Sequence, residues 1–509
     1  MWSLILRTAV LLIWFHEDAS CKTVMFMPMP MTSHVILHVK LARAVTDLGH
    51  QAWLVLPSHD VAKGIVFLEE LQVIQYSPSL NFFDDVLNPI LVQPFLEGKQ
   101  VDFGFYVQRM VQMYDGILTN QTLFGEMKDV RPDLFVIDDT WSGAKMFAIF
   151  AYRMGVPFAA IDFTFEPFGR RVPFSPAVTP NFFYPYGQHM SFSQRLRNTL
   201  SFLFTTTFGN PFCDNTAVAR YAPEMPYVPL NMLNSRAEIW LLQSDHILDY
   251  PKPSLPNVKL IGGMAASPAK PLPPEFQSFM DGALDGVIVV SFGSMILGLP
   301  KEVGEDILMT AFLKIRTLKV VFRSNLTTPD PTKILTAPWV PQNDLLAHPN
   351  TKVFLTHCGV SGQYQALYHA VPMVGVPFDF DQFYNAKRME ARGFGKSVSL
   401  RGLNVSQLVD AIVTVATDPH YRQTIGRASK LFREQFGVPL EKAAYWLDHV
   451  MQYGGSYMRS AGQEMPLYQF LVLDVVAVIF GAAILCLLLC CLAVFCIWRL
   501  VRAHKTKLD

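Results

Sequence analysis

Residues 339–385 read WVPQNDLLAHPNTKVFLTHCGVSGQYQALYHAVPMVGVPFDFDQFYN. The apolar run at 352–356 predicts a buried strand that ends in a polar turn. Beyond the turn, Tyr364, Leu367 and Tyr368 recur at helical spacing until Pro372 ends the pattern. The segment therefore predicts a loop, a strand, a turn and a helix that starts near Ser361.

Small and polar residues surround the predicted helix start, namely His357, Gly359, Ser361 and Gly362. Small side chains let a ligand approach the unpaired backbone N–H groups of a helix N-terminus, and the helix dipole favours negative charge there. The turn is therefore suited to a diphosphate. A plain connecting turn between a strand and a helix would carry similar glycines, so this pattern alone leaves both interpretations open.

Three spaced blocks extend the pattern: Trp339-x-Pro-Gln342 before the turn, His357-x-Gly359 in it and Asp381-Gln382 after it. Their order resembles the nucleotide-sugar signature of the UDP-glycosyltransferase superfamily, and most closely that of the animal UDP-glucuronosyltransferases. The resemblance covers most of residues 22–500. It implies an α/β fold of the GT-B architecture, in which two doubly wound domains face a cleft. A UDP-sugar donor would bind the C-terminal half and an acceptor the N-terminal half.

The same resemblance implies roles for individual residues of the donor site. Trp339 and Gln342 would hold the uracil, and Asp381 and Gln382 the sugar hydroxyls. The diphosphate would lie against His357, Gly359, Ser361 and Gly362, with Ser294 of the Phe292-Gly293-Ser294 segment and Arg323 lining the site further.

Two positions depart from the animal pattern. Cys358 replaces a glycine, as it also does in plant relatives of the superfamily. Gln365 stands where a glutamate usually accepts hydrogen bonds from both ribose hydroxyls. An amide lacks the charge assistance of a carboxylate, so donor affinity is expected to fall by on the order of 1–2 kcal/mol. Alternatively, Gln365 is a helix-surface residue that does not meet the ribose.

The composition limits the class of protein. The 509 residues carry a formal net charge of zero at pH 7, so nothing indicates a nucleic-acid partner. Charged residues make up 17% and apolar residues 51% of the chain, whereas soluble domains average roughly 25% charged residues. This balance predicts contact with a membrane.

The N-terminus predicts a secretory signal. Residues 4–15, LILRTAVLLIWF, are apolar but too few to cross a bilayer, and polar and then small residues follow them. We expect a signal peptide at 1–21 that is cut before Lys22. The alternative, an N-terminal membrane anchor, would need a longer apolar run.

The C-terminus predicts a membrane anchor. Residues 475–498 contain no charged side chain, and Arg499, Arg502, Lys505 and Lys507 follow them. This length suits one transmembrane helix, and the basic residues place the 499–509 tail in the cytosol. The protein would be single-pass type I with a luminal globular part. Lysines at the third and fifth positions from the end resemble a dilysine retrieval signal, which predicts the endoplasmic-reticulum membrane.

Cysteine usage supports neither a disulfide framework nor a metal centre. Among the seven cysteines, only Cys213 and Cys358 lie outside the predicted span and the signal cleavage site. No spacing suits zinc, and neither a metal nor a cofactor is expected beyond the UDP-sugar co-substrate. Asn120, Asn325 and Asn404 begin N-x-Ser/Thr triplets, which are glycosylation acceptors in a luminal domain.

Strand and helix patterns alternate in two series. The first series occupies an N-terminal domain at 22–250, and the second a C-terminal domain at 286–455, with a proline-rich linker at 251–285 that also begins the second domain. The first strand–helix–strand unit has no G-x-G-x-x-G, which argues against an oxidoreductase. Residues 163–229 are rich in Phe, Pro and Tyr and predict an acceptor wall or a membrane-facing surface, or ordinary core packing. Residues 440–453 predict an amphipathic helix that packs on the globular part.

Sugar transfer to a hydroxyl requires a general base. His34 lies in the first strand-to-helix turn and matches the Ser-His segment of the family, so we expect it to be this base. Asp138, at the end of a neighbouring strand, would orient the imidazole, with Asp139 as the alternative. The reaction would invert the anomeric carbon without a metal.

The expected activity is transfer of a sugar from a UDP-sugar to a small lipophilic acceptor, with glucuronic acid as the expected sugar. A glucosyltransferase of the same family stays open, as does a catalytically weak, membrane-anchored binding or partner subunit. A soluble bacterial-type enzyme is opposed by the predicted C-terminal span. The sequence is compatible with a homo- or hetero-oligomer.

Overall fold

The computed structural model describes residues 21–505 except 63, 65–67, 69, 93, 95–98, 100–101, 141–142, 165–166, 168–169, 209–214, 295 and 297–298. The predicted signal peptide, apart from Cys21, therefore lies outside the described residues, as do Cys213 and Lys507. The chain splits into two compact units, Met1–Arg459 and Ser460–Asp509.

The first unit contains two all-parallel sheets. The first has seven strands in the order β3-β2-β1-β4-β5-β6-β7 and the second has six in the order β10-β9-β8-β11-β12-β13. The strands are β1 Thr23–Met27, β2 Gln51–Pro57, β3 Gln72–Tyr76, β4 Leu134–Asp138, β5 Phe158–Asp162, β6 Trp240–Leu242, β7 Val258–Leu260, β8 Val287–Ser291, β9 Lys319–Arg323, β10 Ile334–Ala337, β11 Thr351–Thr356, β12 Met373–Gly375 and β13 Gly395–Ser397. Each order reverses once, at β1 and at β8, which is the doubly wound arrangement that was predicted.

Helices connect and cover the strands. The α-helices are α1 Thr32–Asp47, α2 Ser58–Ala62, α3 Phe103–Leu118, α4 Gln121–Val130, α5 Ala148–Met154, α6 Phe192–Phe208, α7 Ala217–Tyr221, α8 Leu230–Asn234, α9 Pro274–Asp281, α10 Lys301–Val303, α11 Thr310–Lys314, α12 Gln342–Ala347, α13 Val360–Tyr368, α14 Gln382–Ala391, α15 Val405–Thr417, α16 Pro419–Phe436, α17 Pro439–Tyr453, α18 Leu467–Phe470 and α19 Leu473–Lys505. π-Helices span Phe82–Val92 and Gly304–Met309, and 3₁₀ turns span Ala144–Phe147, Ser456–Met458 and Ala461–Gln463.

Each sheet is buried on both faces, which explains the continuous apolar runs of its central strands. In β1, Met25 and Met27 belong to one apolar cluster, whereas Val24 and Phe26 belong to another. Successive side chains of a strand point to opposite faces, so the two clusters lie on opposite sides of the first sheet. Residues of β8 divide between two further clusters in the same way.

Two segments, one just before the second half and one just after it, pack with the first half. Strand β7 joins the first sheet although it lies inside the range predicted as linker, past the predicted domain boundary at residue 250. Three strand residues among prolines carry no periodicity that a sequence pattern could show. Helix α17, predicted to pack on the globular part, returns to the first half, where its Leu447 and Val450 share an apolar cluster with Leu41 of α1.

The second unit carries the predicted membrane segment. Residues Leu473–Arg502 form a helical span candidate with a mean hydropathy of 3.1. The predicted span, residues 475–498, falls inside it. By length and composition, this helix can cross a bilayer.

Candidate functional site

The first half of the site lies where the order of the first sheet reverses, between β1 and β4. Pro28 and Pro30 disfavour helix directly after β1, and α1 begins at Thr32 with His34 in its first turn. The Nδ1 atom of His34 lies 3.1 Å from Oδ2 of Asp138, the last residue of β4. The structure thus brings together the two residues predicted as base and orienting partner.

The Asp138 carboxylate has two further partners. The backbone N–H of Met29 donates to Oδ2 at 2.6 Å, and Nε2 of His38 lies 3.2 Å from Oδ1. His38 was missed in the sequence, although it lies one turn after His34 on the same face of α1. That spacing is the signal that could have found it, but core residues share the same spacing.

Burial and charge act in opposite directions on this cluster. Burial alone would raise the pKa of the Asp138 carboxyl, but His34 and His38 hold that pKa well below its ordinary value. For His34, burial disfavours the charged ring, yet attraction to Asp138, aided by Asp162 and Asp381, leaves its pKa above the ordinary value. A histidine held in this way can accept a proton from a hydroxyl, as a general base must.

Asp139, the alternative orienting residue, belongs to a different network. Its Oδ2 accepts a hydrogen bond from Nε1 of Trp240 at 3.0 Å and lies 3.4 Å from a guanidinium nitrogen of Arg170. Its Oδ1 lies 3.6 Å from Lys145. Adjacent residues at the end of a strand face opposite ways, so Asp138 and not Asp139 meets His34.

The second half of the site lies where the second sheet reverses, between β8 and β11. His357 follows β11, and its ring is enclosed by glycines: a Cβ on Gly293 would lie 2.7 Å from the ring and a Cβ on Gly359 would lie 2.5 Å from it. Only glycine fits at both positions. Burial, and then the charge of Arg323, lowers the pKa of His357 to about 4, so the ring is neutral at physiological pH.

Helix α13 begins directly after Gly359, which has no side chain to cap it. Ser361 and Gly362 lie in its first turn, as predicted to within one residue. The backbone N–H groups of that turn lack intrahelical partners and are a ready site for an anion.

Arg323 supports the loop after β8. Its guanidinium donates to the backbone carbonyls of Gly293 and Ser294. The Trp339 ring, 47% exposed, stacks with its centroid 5.1 Å from the guanidinium carbon. Trp339 therefore offers an aromatic surface for stacking a base, while Arg323 acts mainly on the loop.

Gln365 is buried, which excludes the alternative that it is a helix-surface residue. Its Oε1 accepts a hydrogen bond from Nε2 of Gln342 at 2.6 Å, and its own Nε2 donates to the carbonyl of Ala265 at 3.1 Å. The amide orientation follows from these partners, because a reversed amide would place its oxygen against the Ala265 carbonyl.

Asp381 is the N-cap of α14, which begins at Gln382, and Asp381 lines a small recess. The Oε1 atom of Gln382 accepts hydrogen bonds from the backbone N–H groups of Phe378 and Asp379 at 2.8 and 3.3 Å. The recess is lined from both halves, by Phe163, Thr164, Pro180, Phe182, Asp249, Lys252, Asp381, Tyr384 and Asn385. Asp381, from the second half, is also near enough to His34 to raise the pKa of that histidine by its charge.

The predicted glycosylation acceptors differ in their local structure. Asn120 and Asn404 are helix N-caps whose side chains accept backbone hydrogen bonds, and Asn325 is exposed in a turn. Among the described residues, no three His, Cys, Asp or Glu side chains are grouped as a metal site would require. Glycosylation and metal independence both stay predictions.

Similarity to known proteins adds an independent line of argument. Residues 90–507 match the family described as “UDP-glucoronosyl and UDP-glucosyl transferase”. UDP-glucuronosyltransferase 2A1 of Mus musculus is 32% identical over 394 residues, which cover 75% of this chain and 74% of that protein. UDP-glucuronosyltransferase 2B15 of Homo sapiens is 27% identical over 518 residues, covering 97% of this chain and 96% of the human protein.

Solved structures of glycosyltransferases share the fold. The glycotransferase of kitacinnamycin superposes with a TM-score of 0.59 at 18% identity, covering 84% of this chain and 99% of that one. The calicheamicin glycosyltransferase CalG4 superposes with a TM-score of 0.53 at 16% identity, covering 85% of this chain and 99% of its own. The two parallel sheets and these neighbours together identify the GT-B architecture.

Proposed function

Because the chain belongs to the UDP-glucuronosyl and UDP-glucosyl transferase family and is therefore a glycosyltransferase, we propose that it transfers glucuronic acid from UDP-glucuronate to a hydroxyl of a small lipophilic acceptor. His34 is the general base, Asp138 orients it, and the residues around His357 hold the UDP-sugar. The catalytic part lies in the lumen of the endoplasmic reticulum, anchored by α19 as a single-pass type I protein.

The observation that carries the proposal is the contact of 3.1 Å between His34 Nδ1 and Asp138 Oδ2 at the switch point of the first sheet. A hydrogen bond from Nδ1–H to the carboxylate leaves Nε2 with a lone pair for the acceptor hydroxyl. The ring of Phe163 lies 5.6 Å from the His34 ring and also lines the recess. This aromatic wall supports an apolar acceptor.

The proposed step balances without a further reactant. Nε2 of His34 takes the proton of the acceptor hydroxyl while the acceptor oxygen forms a bond to the anomeric carbon. The bond from that carbon to the diphosphate breaks, and its electron pair leaves with UDP. Attack from the face opposite the leaving group inverts the anomeric centre. Neutral His357 and the first turn of α13 stabilise the departing diphosphate.

Lys252 supports glucuronic acid as the sugar. Lys252 lines the same recess as Asp381, and its ammonium lies 2.7 Å from Oδ2 of Asp249. A cation at this point can pair with the C6 carboxylate of glucuronate, whereas glucose presents only a hydroxyl there. We therefore expect Lys252→Met to raise the KM for UDP-glucuronate about tenfold or more while changing that for UDP-glucose little.

The test of the activity uses the full chain in microsomal membranes. UDP release is measured with UDP-glucuronate, UDP-glucose, UDP-xylose and UDP-N-acetylglucosamine against a mixture of phenols and steroids. We expect UDP-glucuronate to support the fastest turnover and His34→Ala to lower it at least ~10²-fold, which is the usual contribution of a general base. Unchanged turnover in His34→Ala would refute the assignment of His34 as the base. Faster turnover with UDP-glucose than with UDP-glucuronate would refute the assignment of UDP-glucuronate as the donor.

One observation favours a second function, that of a catalytically weak binding subunit. Gln365 uses both of its amide groups within the protein, on Gln342 and Ala265. A donor ribose then meets a neutral, already engaged oxygen. If the wild-type protein releases no more UDP than the His34→Ala variant with any of the donors, the binding function is favoured over the enzymatic one.

A further inference from the structure

The structure contains a second histidine on the Asp138 carboxylate that the mechanism above does not use. His38 is fully buried in α1, four residues after His34, and its Nε2 lies 3.2 Å from Oδ1 of Asp138. The ring of Phe26 packs against it edge-on, with centroids 6.0 Å apart. A buried imidazole this close to a carboxylate oxygen makes a specific polar interaction and does more than fill space in the core.

The hydrogen-bond partners of His38 indicate which of its ring nitrogens carries the hydrogen. Its other nitrogen, Nδ1, is buried and has no hydrogen-bond partner among the described residues. A proton on Nδ1 would be a buried, unsatisfied donor, which is costly, whereas a bare lone pair costs less. The neutral tautomer with the proton on Nε2 therefore fits the site, and Nε2–H donates to Oδ1.

The carboxylate is thus fixed from both sides. Oδ2 accepts from the backbone of Met29 and faces Nδ1 of His34, while Oδ1 accepts from His38. We propose that His38 is a positioning residue for the proposed reaction: it holds the Asp138 carboxylate with Oδ2 toward His34 and limits how strongly this carboxylate attracts the proton on His34. The inference rests on the proposed function, in which His34 is the base.

The physical reason is competition for charge. A hydrogen bond to one oxygen of a carboxylate draws electron density from the other, so each donor weakens the pull on the next. Without His38, Asp138 would bind the proton on His34 more firmly. His34 would then stay protonated, and unable to act as a base, up to a higher pH.

Other groups around His34 stay unchanged in the test. Asp138, Asp162 and Asp381 act on it by charge. Asp162 is itself paired with the guanidinium of Arg170. These residues are the same in every variant below, so a change in the pH profile reports the loss of the His38 hydrogen bond.

The experiment compares His38→Leu with His38→Gln in the full-length membrane protein. Leucine removes the donor, whereas the glutamine amide can place an N–H near the position of Nε2. The measurement is kcat/KM for the acceptor against pH, whose acidic limb reports the essential base of the free enzyme. We expect the acidic limb to move up by about half a pH unit or more in His38→Leu, and to return to the wild-type position in His38→Gln.

One further measurement and one replacement variant make every outcome decisive. UDP affinity by calorimetry reports whether the second half of the site is intact, and it should be equal in all variants. If His38→Leu does not accumulate, His38→Asn takes its place, because its shorter amide cannot reach Oδ1. An acidic limb unchanged in the donor-less variant, with activity lowered equally at all pH values, would mean that His38 only packs, and would overturn the proposal.

Failure of the proposed function looks different. Normal turnover in His34→Ala would refute His34 as the base, whatever the pH profiles of the His38 variants. His34→Ala without turnover, together with coincident acidic limbs, would refute only the inference about His38.

Discussion

Replacing Gln365 by glutamate should change folding stability and donor affinity in opposite directions. The variant restores the carboxylate that the family resemblance implies for the ribose. In the structure, Nε2 of Gln365 donates to the Ala265 carbonyl at 3.1 Å, and a carboxylate oxygen there would meet that carbonyl without a proton between them. Losing a buried hydrogen bond in this way costs about 1–3 kcal/mol of folding stability.

Donor affinity should change in the opposite direction. The unfavourable contact with Ala265 is present with and without the donor, so it cancels from the binding free energy. The binding free energies then differ only in the hydrogen bond to the ribose. With glutamine this bond is neutral and worth roughly 1 kcal/mol, whereas with a glutamate it is charge-assisted and worth roughly 2 kcal/mol. The difference of about 1 kcal/mol corresponds to a UDP dissociation constant about fivefold lower.

The assay is calorimetric titration of the detergent-solubilised full chain with UDP, together with thermal unfolding of the free protein. We expect Gln365→Glu to lower Tm by a few degrees while binding UDP more tightly. Lower stability with unchanged UDP affinity would mean that residue 365 does not meet the ribose. Unchanged stability would mean that the Ala265 contact is not formed as described.

Three other predictions concern the turn around His357, the membrane topology and retrieval to the endoplasmic reticulum. Gly359→Ala would put a Cβ 2.5 Å from the His357 ring and should weaken UDP binding at least tenfold. The control Gly426→Ala lies in α16 with open space around it, so it should bind UDP normally and be slightly stabilised. Equal UDP affinities of the two variants would refute the enclosure of His357. Protease added to sealed microsomes should remove only a C-terminal tag, and digestion of the globular part would contradict type I topology. Replacing Lys505 and Lys507 together by serine should make the glycans resistant to endoglycosidase H, and unchanged sensitivity would exclude a dominant dilysine signal.

Much of the fold and of the site could be predicted because parallel sheets impose a geometry on sequence order. The carboxyl ends of β1 and β4 meet at one edge, so His34 and Asp138 could be paired across about a hundred residues. The glycine-rich turn around His357 was predictable for the same reason. Helix α1 and its apolar spacing were also evident in the sequence.

The remainder depended on tertiary contacts that no local pattern carries. His38 has the spacing of a core residue, and only the position of Asp138 on a neighbouring strand makes it part of the site. The partners of Gln365 are Gln342, 23 residues away, and Ala265, 100 residues away. Strand β7 is three residues long, and its pairing with β6 is a tertiary contact.

The return of α17 to the first half changes how the halves can move. The second half, from α9 to α16, is inserted into the first half rather than appended to it, because the chain enters it after β7 and leaves it before α17. Two covalent crossings define a line, and rotation about that line needs no change elsewhere in the backbone. Twisting or sliding across it would strain both crossings at once. A hinge rotation about this line is therefore the relative motion of the halves that this connectivity restricts least.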